Sequence, residues 1–221
     1  MNQDYSADDV EAFVRLSLLT LYENRGYLRA NFGEPQAQLR KTDNRVPDGV
    51  SVTLPVREGF AYVWNGVEWS GNRVLSTTDL NKFLDMRAGE IANAQKIDDG
   101  LRIVRDAYMS RGFIQMKLGT QKKLNDSVKF ATYSLTIDEG SQFHMGTFSV
   151  TGLPGSLTKH LLKEWKIKPG EVFDQTYVTK FLKDKAAPAI YQSGSRGWNS
   201  SVKIQQDATA QTVNVQIAFN Q

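Results

Sequence analysis

The stretch Ile137-Asp138-Glu139-Gly140 decides how the chain is read, because the same Glu-Gly pair stands at Glu58-Gly59 and the residues that follow each pair run in parallel. After the first pair come Gly66, the Trp69-Ser70-Gly71 turn and Gly89-Glu90; after the second come Gly146, the Val150-Thr151-Gly152 turn and Gly170-Glu171. Glu139, Gly152 and Gly170 each lie 81 positions beyond Glu58, Gly71 and Gly89, and Gly146 lies 80 beyond Gly66. A spacing kept across several turn glycines marks a repeated structural unit. Arg111-Gly112-Phe113 is answered by Arg196-Gly197-Trp198, after a short insertion at Gly194-Ser195, and is anticipated by Arg25-Gly26-Tyr27. The chain therefore reads as the back part of one unit, residues 1–57, and two whole ones, residues 58–138 and 139–221.

Composition narrows the function classes. A chain of 221 residues holds two or three domains of this period, each with a modest core. The net charge of +3 is small and scattered, so no nucleic-acid partner is expected; Lys122-Lys123 and the lysines between Lys163 and Lys168 read as solvated faces. Without cysteine there is no disulfide framework, thiolate nucleophile or zinc-thiolate site, a usage that fits an envelope compartment. No apolar run is long enough to span a membrane as a helix, and Met1-Asn2-Gln3-Asp4 lacks signal-peptide character. If the protein is exported, the chain is expected to be a mature fragment.

Local patterns place the elements. Ser6-Ala7-Asp8-Asp9 has the form of a helix start, and Val10, Phe13, Val14, Leu18, Leu21 and Tyr22 follow at helical spacing as one buried face until Gly26, although an incomplete first unit is expected to leave apolar surface exposed from Val10 to Tyr22. Strands are expected over 27–32 and 50–56, separated by a long loop through Pro35 and the Asn44–Gly49 stretch, with the second strand ending or facing solvent at Pro55. The first whole unit reads as a strand over 60–69, a helix capped by Ser76 and ended by Gly89, a helix from Asn93 burying Ile97, Leu101, Val104 and Tyr108, and two strands. Of these, Ile114 to Leu118 alternates as a half-buried strand, Gly119–Asp126 turns the chain, and a change of parity predicts a β-bulge near Ala131-Thr132. The last unit repeats the order, with strands over 143–150, 201–205 and 212–219 and helices over 157–165 and from Asp174. Phe173 is placed to staple onto Val178, Pro188 is expected to kink or end its helix, and the stretch 192–199 reads as a mobile loop.

A strand, two helices and two strands within some 80 residues, opened by Glu-Gly and carrying Lys168-Pro169-Gly170-Glu171 between the helices, resembles the POTRA (polypeptide-transport-associated) domain. The resemblance rests also on Gly66, Gly71, Gly89-Glu90 and the helix ending Tyr108 to Phe113, and on Gly146, Gly152 and Tyr191. It implies an α+β fold of tandem β-α-α-β-β repeats, each a three-stranded mixed sheet with its third strand central and two helices on one face. It further implies the periplasmic arm of a BamA-type outer-membrane assembly or translocation protein, tethered to the outer membrane through a covalently linked β-barrel. The implied partners are unfolded outer-membrane protein segments and periplasmic accessory proteins, with no cofactor.

The residues themselves point to backbone chemistry. An exposed strand edge offers N–H and C=O groups to any extended peptide, and the candidate edges are Ile114, Gln115, Met116, Lys117 and Leu118, and Ser201, Val202, Lys203, Ile204 and Gln205. Lys117 and Lys203 also suit an edge that is merely blunted. Glu58, Gly59, Glu139 and Gly140 are the candidate joints, and a spacer or oligomerisation scaffold that only positions a membrane barrel is the alternative function. His144 and His160 stand outside any metal-ligand spacing, and Asp8-Asp9 and Asp98-Asp99 read as acids in first helical turns, so no enzyme is expected. Trp69 and Trp165 are assigned to cores, and Trp198 is singled out beside the looser loop.

Overall fold

The computed structural model describes residues 6–40, 49–193 and 197–220. Two compact units divide the chain, one of Met1–Ser70, Ser76–Arg102 and Thr120–Leu135, the other of Gly71–Leu75, Ile103–Gly119 and Thr136–Gln221. The expectations placed on 41–48, on Gly194-Ser195-Arg196 and on Met1-Asn2-Gln3-Asp4 lie outside the described residues.

In the first unit, the Ser6 side chain caps helix α1 (Ala7–Phe13) by accepting from the Asp9 amide at 3.3 Å. The helix continues through a π-turn at Val14–Leu18 into α2 (Leu19–Glu23) and closes at Gly26. Its apolar face is open, as expected of an incomplete unit and not the buried face its spacing suggests: Phe13 and Leu21 are exposed, as is Leu16, and no residue of the three segments is fully buried. The strands nearby are shorter and more numerous than the pattern suggested. β1 (Asn31–Phe32) pairs with β4 (Val56–Arg57), and β2 (Gln36–Arg40) pairs antiparallel with β3 (Gly49–Thr53). β2 occupies part of the span read as loop: Ala37 and Leu39 alternate with Gln36, Gln38 and Arg40, but the run is short and exposed throughout. β3 and β4 are separated at Leu54-Pro55, where proline removes a ladder donor.

The middle repeat holds β5 (Val63–Ser70), α3 (Thr77–Leu84), α4 (Ala94–Met109), β6 (Lys117–Asn125) and β7 (Phe130–Asp138), with its sheet in the order β5-β7-β6. Ser76 caps α3 as expected, but the helix stops at Asp85 in the left-handed region, four residues before Gly89. Asn93 Oδ1 accepts from the Lys96 amide at the start of α4, so Asp98-Asp99 lie in its second turn and not its first. Ile97, Leu101, Val104 and Tyr108 are buried, as their spacing requires. β6 runs straight through Gly119, and the chain reverses after it, where Asn125 Oδ1 accepts from the Ser127 amide. Burial alternates without interruption from Phe130 to Asp138, with Ala131, Tyr133, Leu135 and Ile137 inward. The parity change behind the expected bulge therefore does not occur: Phe130 faces out and Ala131 takes the inward place.

In the last repeat β8 (His144–Thr151), β9 (Asn199–Asp207) and β10 (Thr212–Asn220) form a sheet in the order β8-β10-β9. β10 is parallel to β8 and antiparallel to β9, the mixed sheet with a central third strand. A bulge does occur here, between Val213 and Val215, and the Asn214 carboxamide oxygen accepts from the Thr147 amide and hydroxyl across it at 2.7 and 2.8 Å. Val213, Val215, Ile217 and Phe219 face a core completed by Leu161 of α5 (Gly155–Glu164) and by Val178 and Phe181 of α6 (Gln175–Phe181). Asp174 caps α6 through the amides of Thr176 and Tyr177, with Phe173 and Val178 buried in the same core. Pro188 does not end the helix. A π-turn at Leu182–Ala186 widens the rod just before it and α7 (Ala187–Gln192) continues, which relieves the clash a proline ring makes with the carbonyl four residues back.

Candidate functional site

β9 is one of the two outer strands of its sheet, and all five candidate residues Ser201 to Gln205 lie within it. Its inner side pairs with β10 over the whole nine-residue length, from Asn199 opposite Asn220 to Asp207 opposite Thr212. The residues of β9 are exposed except Ile204, which is half-buried against the core. The outer side of such a strand carries a row of amide and carbonyl groups that an extended peptide satisfies by adding a strand.

In the middle repeat the edge strand is β6, and only Lys117 and Leu118 of the candidate residues belong to it. Ile114, Gln115 and Met116 precede the strand in the turn that follows α4, where the Met116 amide donates to the Phe113 carbonyl. Their apolar alternation has another cause: Ile114 packs against the core of the last repeat, and the Gln115 side chain donates to the Gln206 side chain at 2.9 Å. Those residues serve the joint, and the middle edge extends instead through Lys122 to Asn125.

The joints are built from motifs the sequence displays separately. Glu139 Oε1 accepts from the backbone amides of Arg73 and Val74 at 2.7 and 2.8 Å and from the Tyr108 hydroxyl at 2.9 Å. Burial works against the charge on Glu139, but those three donors outweigh it and hold the carboxyl below its ordinary range. Burial, with the carboxylate's hydrogen bond added, pushes the Tyr108 hydroxyl well above its ordinary range. The Tyr22 hydroxyl donates in the same way to Glu58 Oε1 at 3.0 Å, and that bond raises the tyrosine's pKa. Each tyrosine belongs to the Tyr-x-x-x-Gly-aromatic helix ending and each glutamate to the Glu-Gly pair. The sequence shows both signals, yet nothing local links residues so far apart.

A backbone clamp completes each joint. The carbonyl of Gly112 accepts from the Phe143 amide at 2.9 Å, and the carbonyl of Gly26 accepts from the Tyr62 amide at 2.8 Å. A Cβ at Gly112 would meet the Phe143 carbonyl oxygen at 2.6 Å, and one at Gly26 would meet that of Tyr62 at the same distance. Both glycines have positive φ, so chain direction and close approach require glycine together. At the first joint Asp126 also receives the Arg29 guanidinium at 2.8 Å and the Tyr62 hydroxyl at 2.6 Å.

The remaining candidates are structural. His144 lies in β8 and His160 is exposed on α5, and among the described residues no cluster of His, Cys, Asp and Glu is arranged to hold a metal. Trp165 stacks on Phe148 with ring centroids 3.9 Å apart, and the half-buried Trp69 donates to Asn81 Oδ1. Trp64, not assigned from the sequence, is the most deeply buried of the tryptophans. Among the described residues no helix is long and apolar enough to cross a membrane.

Comparison with known proteins gives a consistent answer. Residues 62–140 match the POTRA family, described as a surface antigen variable number repeat. The chain is 26% identical over 163 residues to a protein of Treponema pallidum named as a candidate outer membrane protein assembly factor, covering 74% of this chain and 20% of that one. It is 25% identical over 183 residues to the outer membrane protein assembly factor BamA of Neisseria meningitidis serogroup B, covering 77% of this chain and 22% of the relative. The chain thus spans about a fifth of the length of these relatives. In fold it is similar to the crystal structure of Haemophilus influenzae BamA POTRA3-5, with a TM-score of 0.73 at 18% identity over 100% of this chain and 83% of that one.

Proposed function

With residues 62–140 matching the POTRA family and the chain carrying that fold in tandem, we propose that it serves as the periplasmic arm of an outer-membrane assembly or translocation factor. In this role the repeats 1–57, 58–138 and 139–221 receive unfolded outer-membrane protein segments by strand addition and dock accessory proteins, next to a barrel linked to the same polypeptide. No catalytic step enters this role. The observation that carries it is the pair of outer strands, β9 and β6, each nine residues long and each at the rim of a mixed sheet. Strand addition recognises backbone, which every client shares, and leaves side-chain pockets only a modest preference.

Titration with a peptide from an outer-membrane barrel strand is expected to shift amide resonances along Ser201 to Gln205 and Lys117 to Asn125. Lys203→Pro and Val202→Pro, tested singly, decide the point. Ladder geometry turns the N–H of neighbouring residues to opposite sides, so one of the two prolines removes an outward donor and leaves pairing with β10 intact. The variant that keeps its fold is expected to bind the peptide at least about fivefold more weakly, one outward hydrogen bond and its neighbour being lost. Unchanged affinity in the variant that keeps its fold, or shifts confined to the helices, would sink strand addition.

The clamps at Gly26 and Gly112 favour a second reading, in which the repeats act as a spacer that sets the reach of a barrel without touching clients. Solution scattering that demands freely jointed repeats at every ionic strength would exclude it.

A further inference from the structure

The last repeat carries counterparts of the joint residues, Tyr191 and Gly197-Trp198, six positions from tyrosine to glycine where Tyr108 and Gly112, and Tyr22 and Gly26, are four apart. Beside α7 lies a pocket of 360 Å³ lined by Ile190, Tyr191, Trp198 and Phe219 among others. Trp198 follows Gly197 as Phe113 follows Gly112, and Gly197 has the same positive φ as Gly112 and Gly26. At the two earlier copies the glycine is covered by the backbone of an incoming strand and the tyrosine hydroxyl holds a carboxylate. Here a Cβ on Gly197 would meet nothing within 4 Å, and Tyr191 is 74% exposed. The Trp198 indole N–H is buried without an acceptor, a cost that folded interiors rarely leave standing.

The two filled joints define what fits. Both incoming segments have the form Glu-Gly-x-x-aromatic, Glu58 to Tyr62 and Glu139 to Phe143. In each, the glutamate bonds the tyrosine of the preceding helix and the aromatic residue's amide bonds the helix-terminal glycine carbonyl. We infer that the pocket at Tyr191 and Trp198 is a joint socket for the opening strand of an adjoining domain, a segment with a carboxylate four residues ahead of an aromatic side chain. The carboxylate pairs with the Tyr191 hydroxyl, the aromatic amide donates to the Gly197 carbonyl, and a carbonyl of the segment satisfies the Trp198 indole. This socket lies on the helix end of the repeat and does not depend on the strand-edge reading.

The test uses a synthetic peptide with the sequence of residues 137–145, Ile137 to Met145, against the whole chain. Trp198→Phe identifies which of the four tryptophan indole signals belongs to Trp198. Titration is expected to move that signal downfield together with the Gly197 and Tyr191 amides. Tyr191→Phe in the protein, or Glu139→Gln in the peptide, is expected to weaken binding about three- to tenfold, the range for losing a charge-assisted hydrogen bond at a solvent-exposed rim. To exclude mere weakness, the same nine residues are appended to the chain through a flexible linker, which raises their effective concentration to the millimolar range. An unmoved Trp198 indole in that extended chain, equal binding by Tyr191→Phe, or shifts confined to β9 would each overturn the assignment.

Discussion

Gly152→Ala is expected to destabilise the last repeat strongly, and Gly71→Ala the middle one. The two glycines occupy the same position, 81 residues apart, just past the first strand of their sheets, with φ of 84° and 81°. A Cβ at Gly152 would overlap the Phe219 carbonyl oxygen, and one at Gly71 that of Ile137. In both cases the obstacle is the backbone of the central strand, which cannot turn aside as a side chain does. The left-handed conformation alone costs an alanine about 1–2 kcal/mol. Displacing a packed strand adds on the order of 1–3 kcal/mol. A unit of this size has roughly 4–12 kcal/mol of stability, so the sum removes a large part of it. The same change at Gly155, where a Cβ meets nothing within 4 Å and φ is not positive, is the matched control and is expected to leave stability unchanged. Thermal unfolding of the three variants checks this, and a Gly152→Ala protein melting with the parent would refute the strand contact.

Glu139→Ala is expected to produce the second large loss, and Glu58→Ala very little. Removing the Glu139 carboxylate strands two backbone amides and the Tyr108 hydroxyl, in a joint that is partly buried. Hydrogen bonds to a charged acceptor contribute about 1.5–3 kcal/mol, which corresponds to a midpoint lowered by roughly 6–24 °C for a unit of this size. Glu58 accepts one hydrogen bond, from Tyr22, at an exposed position. Acidity gives an independent reading. Because the folded state holds the Glu139 carboxyl below its ordinary range, its contribution is complete above the ordinary carboxylate pKa of about 4.3 and disappears as pH falls through the lower folded value. Glu139→Gln keeps an acceptor oxygen and removes the charge, so its stability is expected to fall less steeply than the parent's on that acid limb. Parallel acid limbs for the parent and Glu139→Gln would show that the carboxylate's charge is not what the donors select.

The repeat and the order of its elements were legible because each follows from local patterns, while the central place of the third strand came from the family resemblance, which the apolar alternation of that strand fits. Val213, Val215, Ile217 and Phe219 alternate as a strand with one buried face must, and Ile97, Leu101, Val104 and Tyr108 keep helical spacing. Caps at Ser6, Ser76 and Asp174 are short-range hydrogen bonds, so three or four residues suffice to see them. What escaped was decided by distant partners or by small adjustments of backbone. Ile114 and Met116 imitate a strand because Ile114 serves a core made mostly of later residues. α3 stops at Asp85, which no glycine signals, and the rod around Pro188 survives because one turn widens. Ser201 to Gln205 fall inside β9, while the strand expected from Ile114 begins only at Lys117 because the turn after Gly112 takes up Phe113 to Met116.

The glycine clamps have a consequence for exchange kinetics. The Tyr62 and Phe143 amides are each sealed by the last carbonyl region of a helix that precedes them in the chain. Neither amide exchanges with solvent deuterium until its bond to that glycine carbonyl opens, by fraying of the helix end or by release of the segment that carries the amide. Deuterium uptake at Phe143 therefore times the opening of the joint at Gly112, and uptake at Tyr62 times the opening of the joint at Gly26. Each joint contains its own clock, read at a single amide.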